Sequence, residues 1–389
     1  MDKKMKKLIS SLLMLLCLTG GMAAQERGIN FRHDLKWNEA VELARSEGKL
    51  IFVDFYTQWC GPCYNMAKTV FTLPDVGAFY NENFINMKID CEEETEGTAL
   101  AKKYQVRSFP TYGFIDPATG ELVHRSQSRQ EPDRFIQTGR DALTPELRSF
   151  YILDKYAAGD RSRKLLTDYI NYQASIYKRD DVSRAFNELL SSGATLDEPE
   201  VWDLFDKHIS GLTPMLRQVS DNYSHFTSIH GKAKVDAKLK KETQNGNIED
   251  IKSLCDFDGK DFNLKMIEIN NLVNKKNYDA AAAMIDAMIA DPATDTQELI
   301  DRLKFIARLS YRSEELPQAW FDKCVGYLRF IAYNNVNRDE PYIHQAYADA
   351  LEKLIQRRSA VPAELLAEPQ HGKKVYDMRP ADLKQKPRH

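Results

Sequence analysis

The sequence predicts two architectures in succession: an α/β domain, then an all-α domain. Three observations carry this. The run LIFVDFY, residues 50–56, is apolar apart from Asp54, which suits a strand buried on both faces. WCGPC follows it directly and opens into YNMAKTVF, a helix with a proline in its first turn. From about residue 145 to 360 apolar residues recur at helical spacing, with few runs that could serve as strands. At 389 residues, 43% hydrophobic and 29% charged, the chain has room for two cores and falls outside the disordered and fibrous classes.

Residues 1–24 read as a secretory signal peptide. Lys3, Lys4, Lys6 and Lys7 precede the apolar segment LISSLLMLLCL, and GGMAA offers a cleavage site near Ala23 or Ala24. An apolar core of about eleven residues is too short to span roughly 30 Å of hydrocarbon, and no other segment is long and apolar enough, so no stable membrane insertion is expected. Cys17 would suggest lipidation, but Leu16 stands where such a site needs a small residue. Loss of this leader removes four lysines and one aspartate, taking the formal charge from −3 to −6. Nothing in that balance is built for nucleic acid.

Export would leave Cys60, Cys63, Cys91, Cys255 and Cys324 outside the reducing cytosol, an odd and sparse set that is not the framework of a stapled scaffold. A zinc site at Cys60 and Cys63 would need two further ligands, and neither a second C-x-x-C nor an H-x3-5-H pair is expected to supply them; no metal is expected. As a staple the pair is poor, because closing a four-residue loop contributes only roughly 2 kcal/mol, against about 3 for fifteen residues. A tight C-x-x-C is suited to exchange, since its second sulfur can attack a mixed disulfide formed by the first. Pro62 starts the helix and puts Cys60 at its N-terminus, where unsatisfied amides and the macrodipole favour a thiolate. Cys60 is then the nucleophile, and Cys63, deeper in the helix, is expected to be less exposed and to act second. Asp54, if desolvated, would titrate nearer neutrality and could take and return the proton of Cys63. The alternative is that Asp54 faces a solvated edge.

VDFYTQWCGPC, NMKID at 86–90 and VRSFPTYGFID at 106–116 together resemble a thioredoxin domain, over roughly residues 30–143. DLKWNEAVELARSEGKLIFVDFY and TVFTLPDVGAFYNENF are similar to the exported branch of that superfamily, such as the reducing C-terminal domain of the transmembrane electron conduit. The resemblance implies an α/β thioredoxin fold, a central mixed sheet flanked by helices, and a protein disulfide oxidoreductase whose redox group is the Cys60/Cys63 pair, with no bound cofactor. It implies Cys60 as attacking thiol, Cys63 as resolving thiol, Asp54 as buried acid/base and Pro110 as a cis-proline beside the sulfurs. Trp59, Gly61, Pro62, Phe109, Pro110 and Thr111 would surround a bound substrate, with the Phe109 backbone pairing to an extended segment. Packing alone is the other reading of Trp59 and Phe109. The implied partners are disulfide-bearing exported proteins and an upstream thiol electron donor, membrane-bound or not; the implied compartment is the periplasm. Cys91, beside the acidic cluster CEEETE, could be a third redox thiol but is expected to be an inert buried cysteine. Cys255 and Cys324 carry no assignment.

The remainder divides into a helical domain, 145–360, and an extended tail rich in Lys, Arg and Pro, 361–389. Val182, Ala185, Phe186, Leu189 and Leu190 form one apolar stripe; Ile343, Ala346, Tyr347, Ala350, Leu351 and Leu354 form another after Pro341. NKKNYDAAAAMIDAMIADP, 274–292, resembles part of a tetratricopeptide unit, so solenoid-like character is expected. The polar stretch 220–247, with His225 and His230, reads as solvated helix and loop. Three functions stay open at this point: an exported reductant of protein disulfides with a partner-binding helical domain, an oxidant or isomerase of the same fold, and a helical interaction or chaperone-like protein whose α/β domain binds peptides.

Overall fold

The computed structural model describes residues 28–92, 96–310, 316–338 and 340–357. The expected signal peptide, with Cys17, and the expected tail lie outside the described residues. The chain divides into two compact units at Ile209/Ser210.

The first unit is built on a four-stranded sheet of order β2-β1-β3-β4. Strand β1 (Leu50–Tyr56) pairs in parallel with β2 (Phe84–Asp90) and antiparallel with β3 (Thr111–Ile115), which pairs antiparallel with β4 (Leu122–Gln127). The apolar run of β1 is thereby explained, because a central strand covered on both faces has no solvated side. Ile51, Val53 and Phe55 point into one core with Trp37 and Ala40 of α1 (Trp37–Glu47) and Leu100 of α4 (Gly97–Lys103). Phe52 points into the other. There it meets Met66 of α2 (Gly61–Thr69), Val76 and Tyr80 of α3 (Pro74–Asn83), and Phe135 of α5 (Pro132–Leu143). Tyr80 stacks on Phe135 at 4.5 Å between ring centroids and donates its hydroxyl to the Phe135 carbonyl at 2.8 Å. The result is the expected α/β thioredoxin fold, a mixed sheet between helices.

Four further helices belong to this unit: α6 (Ser149–Ala157), α7 (Arg163–Ser175), α8 (Arg179–Ser191) and α9 (Pro199–His208). Strand character ends before residue 145, but compactness carries the unit on to Ile209. The reason lies at β4, whose far side is covered by α6. The Ser149 amide donates to His124 Nδ1 at 2.9 Å, and the Arg125 amide donates to Ser149 Oγ at 2.8 Å. The stripe Val182, Ala185, Phe186 and Leu189 is buried as its spacing requires, with Leu190 at its margin.

The second unit has only helices among its described secondary-structure elements. It comprises α10 (Pro214–Asp221), α11 (Tyr223–His230), α12 (Lys232–Glu242), α13 (Ile248–Lys252), α14 (Lys260–Asn274), α15 (Tyr278–Ala290), α16 (Thr296–Ser310), α17 (Gln318–Asn334) and α18 (Pro341–Arg357). Helices α14 to α18 share one apolar core, in which Trp320 of α17 stacks on Tyr278 of α15 at 5.0 Å. On α12 a buried ion pair, Lys238 Nζ to Glu242 Oε1 at 2.9 Å, is anchored further by the Gly211 amide, which donates to Glu242 Oε2 at 2.6 Å. Among the described residues no helix is long and apolar enough to cross a membrane.

Candidate functional site

β1 delivers the chain to the C-terminal edge of the sheet, and Thr57–Gln58–Trp59 turns it into α2. Cys60 is the N-cap of that helix, Pro62 sits in its first turn, and the Cys63 amide donates to Cys60 Sγ at 3.1 Å. Cys60 and Cys63 are joined as a disulfide, with Cα atoms 5.3 Å apart. The sulfur of Cys60 therefore receives an amide hydrogen and faces the positive end of the helix. One expectation fails here. Cys63 is not the less exposed of the two, because both residues are 4% exposed; Cys63 lies in the first turn, too near the cap to be deeper. Position at the helix terminus, not exposure, separates the two sulfurs.

Asp54 is 1% exposed on the central strand, which overturns the solvated-edge alternative. Two residues on from Phe52, it faces the same core as Phe52, the side covered by α2 through Met66. Its register neighbours are Lys88 on β2 and Tyr112 on β3. Neither carboxylate oxygen has a hydrogen-bond partner, and the Tyr112 hydroxyl lacks one as well. Burial pushes the Asp54 carboxyl up to about 7, opposed only in part by the charge of Lys88. A carboxyl that titrates near neutrality thus stands on the face of the sheet beneath α2.

The rim of the site is aromatic. Trp59 is 70% exposed and meets the half-buried Phe109 edge to face, ring centroids 6.1 Å apart. Packing does not account for so exposed an indole, whereas Phe109 also packs against the core beneath it. Trp59 Nε1 donates to both carboxylate oxygens of Glu92, in the CEEETE cluster, at 2.9 Å, which puts an acidic contact on the rim. Gly61 and Pro62 are exposed. The Phe109–Pro110 peptide is cis. Pro110 is buried, its carbonyl accepting from the Ser128 amide at 3.0 Å, and Thr111 is buried with its hydroxyl donating to the Ser108 carbonyl at 2.7 Å. The loop after β4 closes the arrangement, since the Gln130 amide donates to Met66 Sδ on α2 at 3.3 Å.

The other cysteines stand apart from this chemistry. Cys91 is buried at the end of β2, and its thiol is pushed up to about 12 by burial first and then by the charges of Asp90 and Asp54, so it is held protonated. Cys255 and Cys324 form no disulfide. His225 and His230 on α11 do stand at H-x4-H spacing, which overturns the expectation that no H-x3-5-H pair is present. They lie in the second unit and pack around Phe226. Among the described residues no group of three or more His, Cys, Asp or Glu could hold a metal ion.

A mixed sheet, a dithiol capping a helix and a buried carboxyl below it define the class of thiol–disulfide oxidoreductase domains. A family model for the thioredoxin-like domain matches residues 37–143. Among curated proteins, a thioredoxin-like protein of Synechocystis sp. is 34% identical over 97 residues, 25% of this chain and 85% of that protein. The chloroplastic thioredoxin-like protein CITRX of Oryza sativa subsp. indica is 41% identical over 90 residues, 23% of this chain and 44% of the relative, so the chain spans less than half of that protein's length. Among solved structures, a thioredoxin from Thermus thermophilus is 25% identical over 30% of this chain and 88% of that one, with a TM-score of 0.27. Through residues 37–143 the chain belongs to the thioredoxin-like family.

Proposed function

We propose that this chain is an exported, periplasmic thiol–disulfide oxidoreductase that reduces disulfides in other exported proteins, and that the helices beyond the sheet serve partner binding. The observation that carries the reading is Cys60 Sγ at the cap of α2, bonded to Cys63 and receiving its amide hydrogen, above a carboxyl that burial has moved to about 7. The lysine-rich, apolar start of the chain supports export. In the reduced protein the Cys60 thiolate attacks one sulfur of a substrate disulfide, and the departing substrate thiolate takes up a proton. Asp54 then accepts the proton of Cys63, and the Cys63 thiolate attacks Cys60 Sγ. A Cys60–Cys63 disulfide forms, the mixed disulfide breaks, and the second substrate sulfur leaves as a thiolate that takes the proton held by Asp54, returning Asp54 to its charged form. Two electrons and two protons have moved to the substrate. An upstream thiol donor restores the pair by the same exchange in reverse. Trp59, Gly61, Pro62 and Phe109 line the surface on which an extended substrate segment lies, with Pro110 and Thr111 buried behind it and the Phe109 backbone available for strand-like pairing.

The Gly-Pro between the cysteines resembles reducing members of the family and supports that direction. Equilibration of the purified protein in glutathione or dithiothreitol redox buffers measures it. A reductant sits near the value known for thioredoxin itself, about −270 mV, whereas a potential near that of the strong oxidant DsbA, about −120 mV, would reverse the direction proposed.

A further inference from the structure

Tyr177, between α7 and α8, has no counterpart in the family domain, which ends at residue 143. It is 63% exposed and holds φ at 60°, a left-handed conformation that a bulky side chain rarely adopts. Glycine or asparagine would serve such a turn better, and so exposed a ring adds little to a core. Neither local conformation nor packing therefore accounts for a tyrosine here. Its surroundings do. The Tyr177 hydroxyl donates to the Arg129 carbonyl at 3.4 Å, and Gln127 Nε2 donates to the Ile176 carbonyl at 3.5 Å. Those bonds dock the α7–α8 turn on the loop after β4. The same loop gives its Ser128 amide to the Pro110 carbonyl and its Gln130 amide to Met66, one turn along α2 from Cys63. Ser108 Oγ also donates to Gln127 Oε1, at 3.4 Å.

We infer that Tyr177 is a specificity-determining residue of the dithiol site: it extends the aromatic rim of Trp59 and Phe109 across the 127–130 loop and contacts the polypeptide flanking a substrate disulfide. The inference rests on the exchange reading of Cys60 and Cys63. An aromatic ring on a turn docked to the loop that touches both the Pro110 segment and the dithiol helix is placed to grip a chain lying beside the reacting sulfur. A small disulfide, lacking flanking chain, does not reach it. The helical addition thus contributes directly to substrate choice at the redox centre.

The test compares Tyr177→Gly, Tyr177→Asn and Tyr177→Phe in the full mature chain, with insulin as protein disulfide and glutathione disulfide as small one. Glycine and asparagine tolerate the left-handed backbone, so both variants should melt no lower than the parent. KM for insulin should rise about tenfold in both with kcat unchanged, the loss expected for one exposed aromatic contact. Tyr177→Phe should stay within about twofold of the parent, and rates with glutathione disulfide should be unaltered in all three. An unchanged KM for insulin, or an equal loss on both substrates, would overturn the assignment. A parent protein inert toward both disulfides would instead overturn the exchange reading beneath it.

Discussion

Asp54 enters a strand covered on both faces and finds no hydrogen-bond partner there, so its charge is expensive and its proton is retained to about pH 7. In the unfolded chain it ionises near 3.9. Between those values the folded state holds the extra proton, and stability falls as pH rises; above about 7 the penalty is complete. Asp54→Asn removes it. The stability difference between variant and parent should therefore grow by roughly 4 kcal/mol from pH 4 to pH 8 in denaturant titrations, since each tenfold change in proton affinity is worth about 1.36 kcal/mol. The same substitution should slow reduction of a protein disulfide about 10- to 100-fold near neutrality, because Cys63 loses its proton acceptor. Stability without any rate effect between pH 6 and 8 would leave Asp54 a buried burden with no chemical part. This residue was legible in the sequence for a local reason: it is the one polar position in a run of apolar ones. The pair above it was equally legible, because two residues of spacing and a helix start are all that the dithiol requires.

Elements meet where the sequence is silent. β4 would be a bare edge strand without α6, and its junction is made by His124, buried and held neutral by desolvation, its ordinary titration pushed down to about 3. Its Nδ1 accepts from the Ser149 amide 25 residues on, and its ring lies between Phe114 and Tyr172, 5.4 and 6.2 Å away. Below about pH 6.5 the unfolded chain binds a proton that the folded chain refuses, so this contribution to stability is lost as pH falls toward 3. His124→Phe would keep the ring but leave the Ser149 amide unpaired in the core. It should cost about 1–3 kcal/mol at pH 7, with the deficit shrinking as pH drops below 6.5, measured by chemical denaturation. A fixed deficit at every pH would mean that His124 does not carry the acid sensitivity. Nothing in the sequence around 124 marks this, since the partner is set by tertiary packing. The same holds for Tyr177, whose contact with Arg129 spans 48 residues.

For the whole molecule, a change of periodicity places every strand before residue 145, and that much could be read directly; the last of them, β4, ends at Gln127. It does not locate the end of the compact unit, because α6 to α9 pack as part of the first body and the division falls at Ile209/Ser210. The second unit displays its helical stripes as faithfully, with Ile343, Ala346, Ala350, Leu351 and Leu354 buried. Chemistry is concentrated in the first unit, and the order of its steps depends on which sulfur attacks first. Trapping is the most direct measurement. Mature Cys63→Ser and Cys60→Ser proteins are each exposed to a disulfide-bearing protein and resolved by nonreducing electrophoresis. The geometry of α2 predicts that Cys63→Ser accumulates a mixed disulfide through Cys60 and that Cys60→Ser yields none. Adducts through Cys63 in the Cys60→Ser protein, with none in its counterpart, would contradict it.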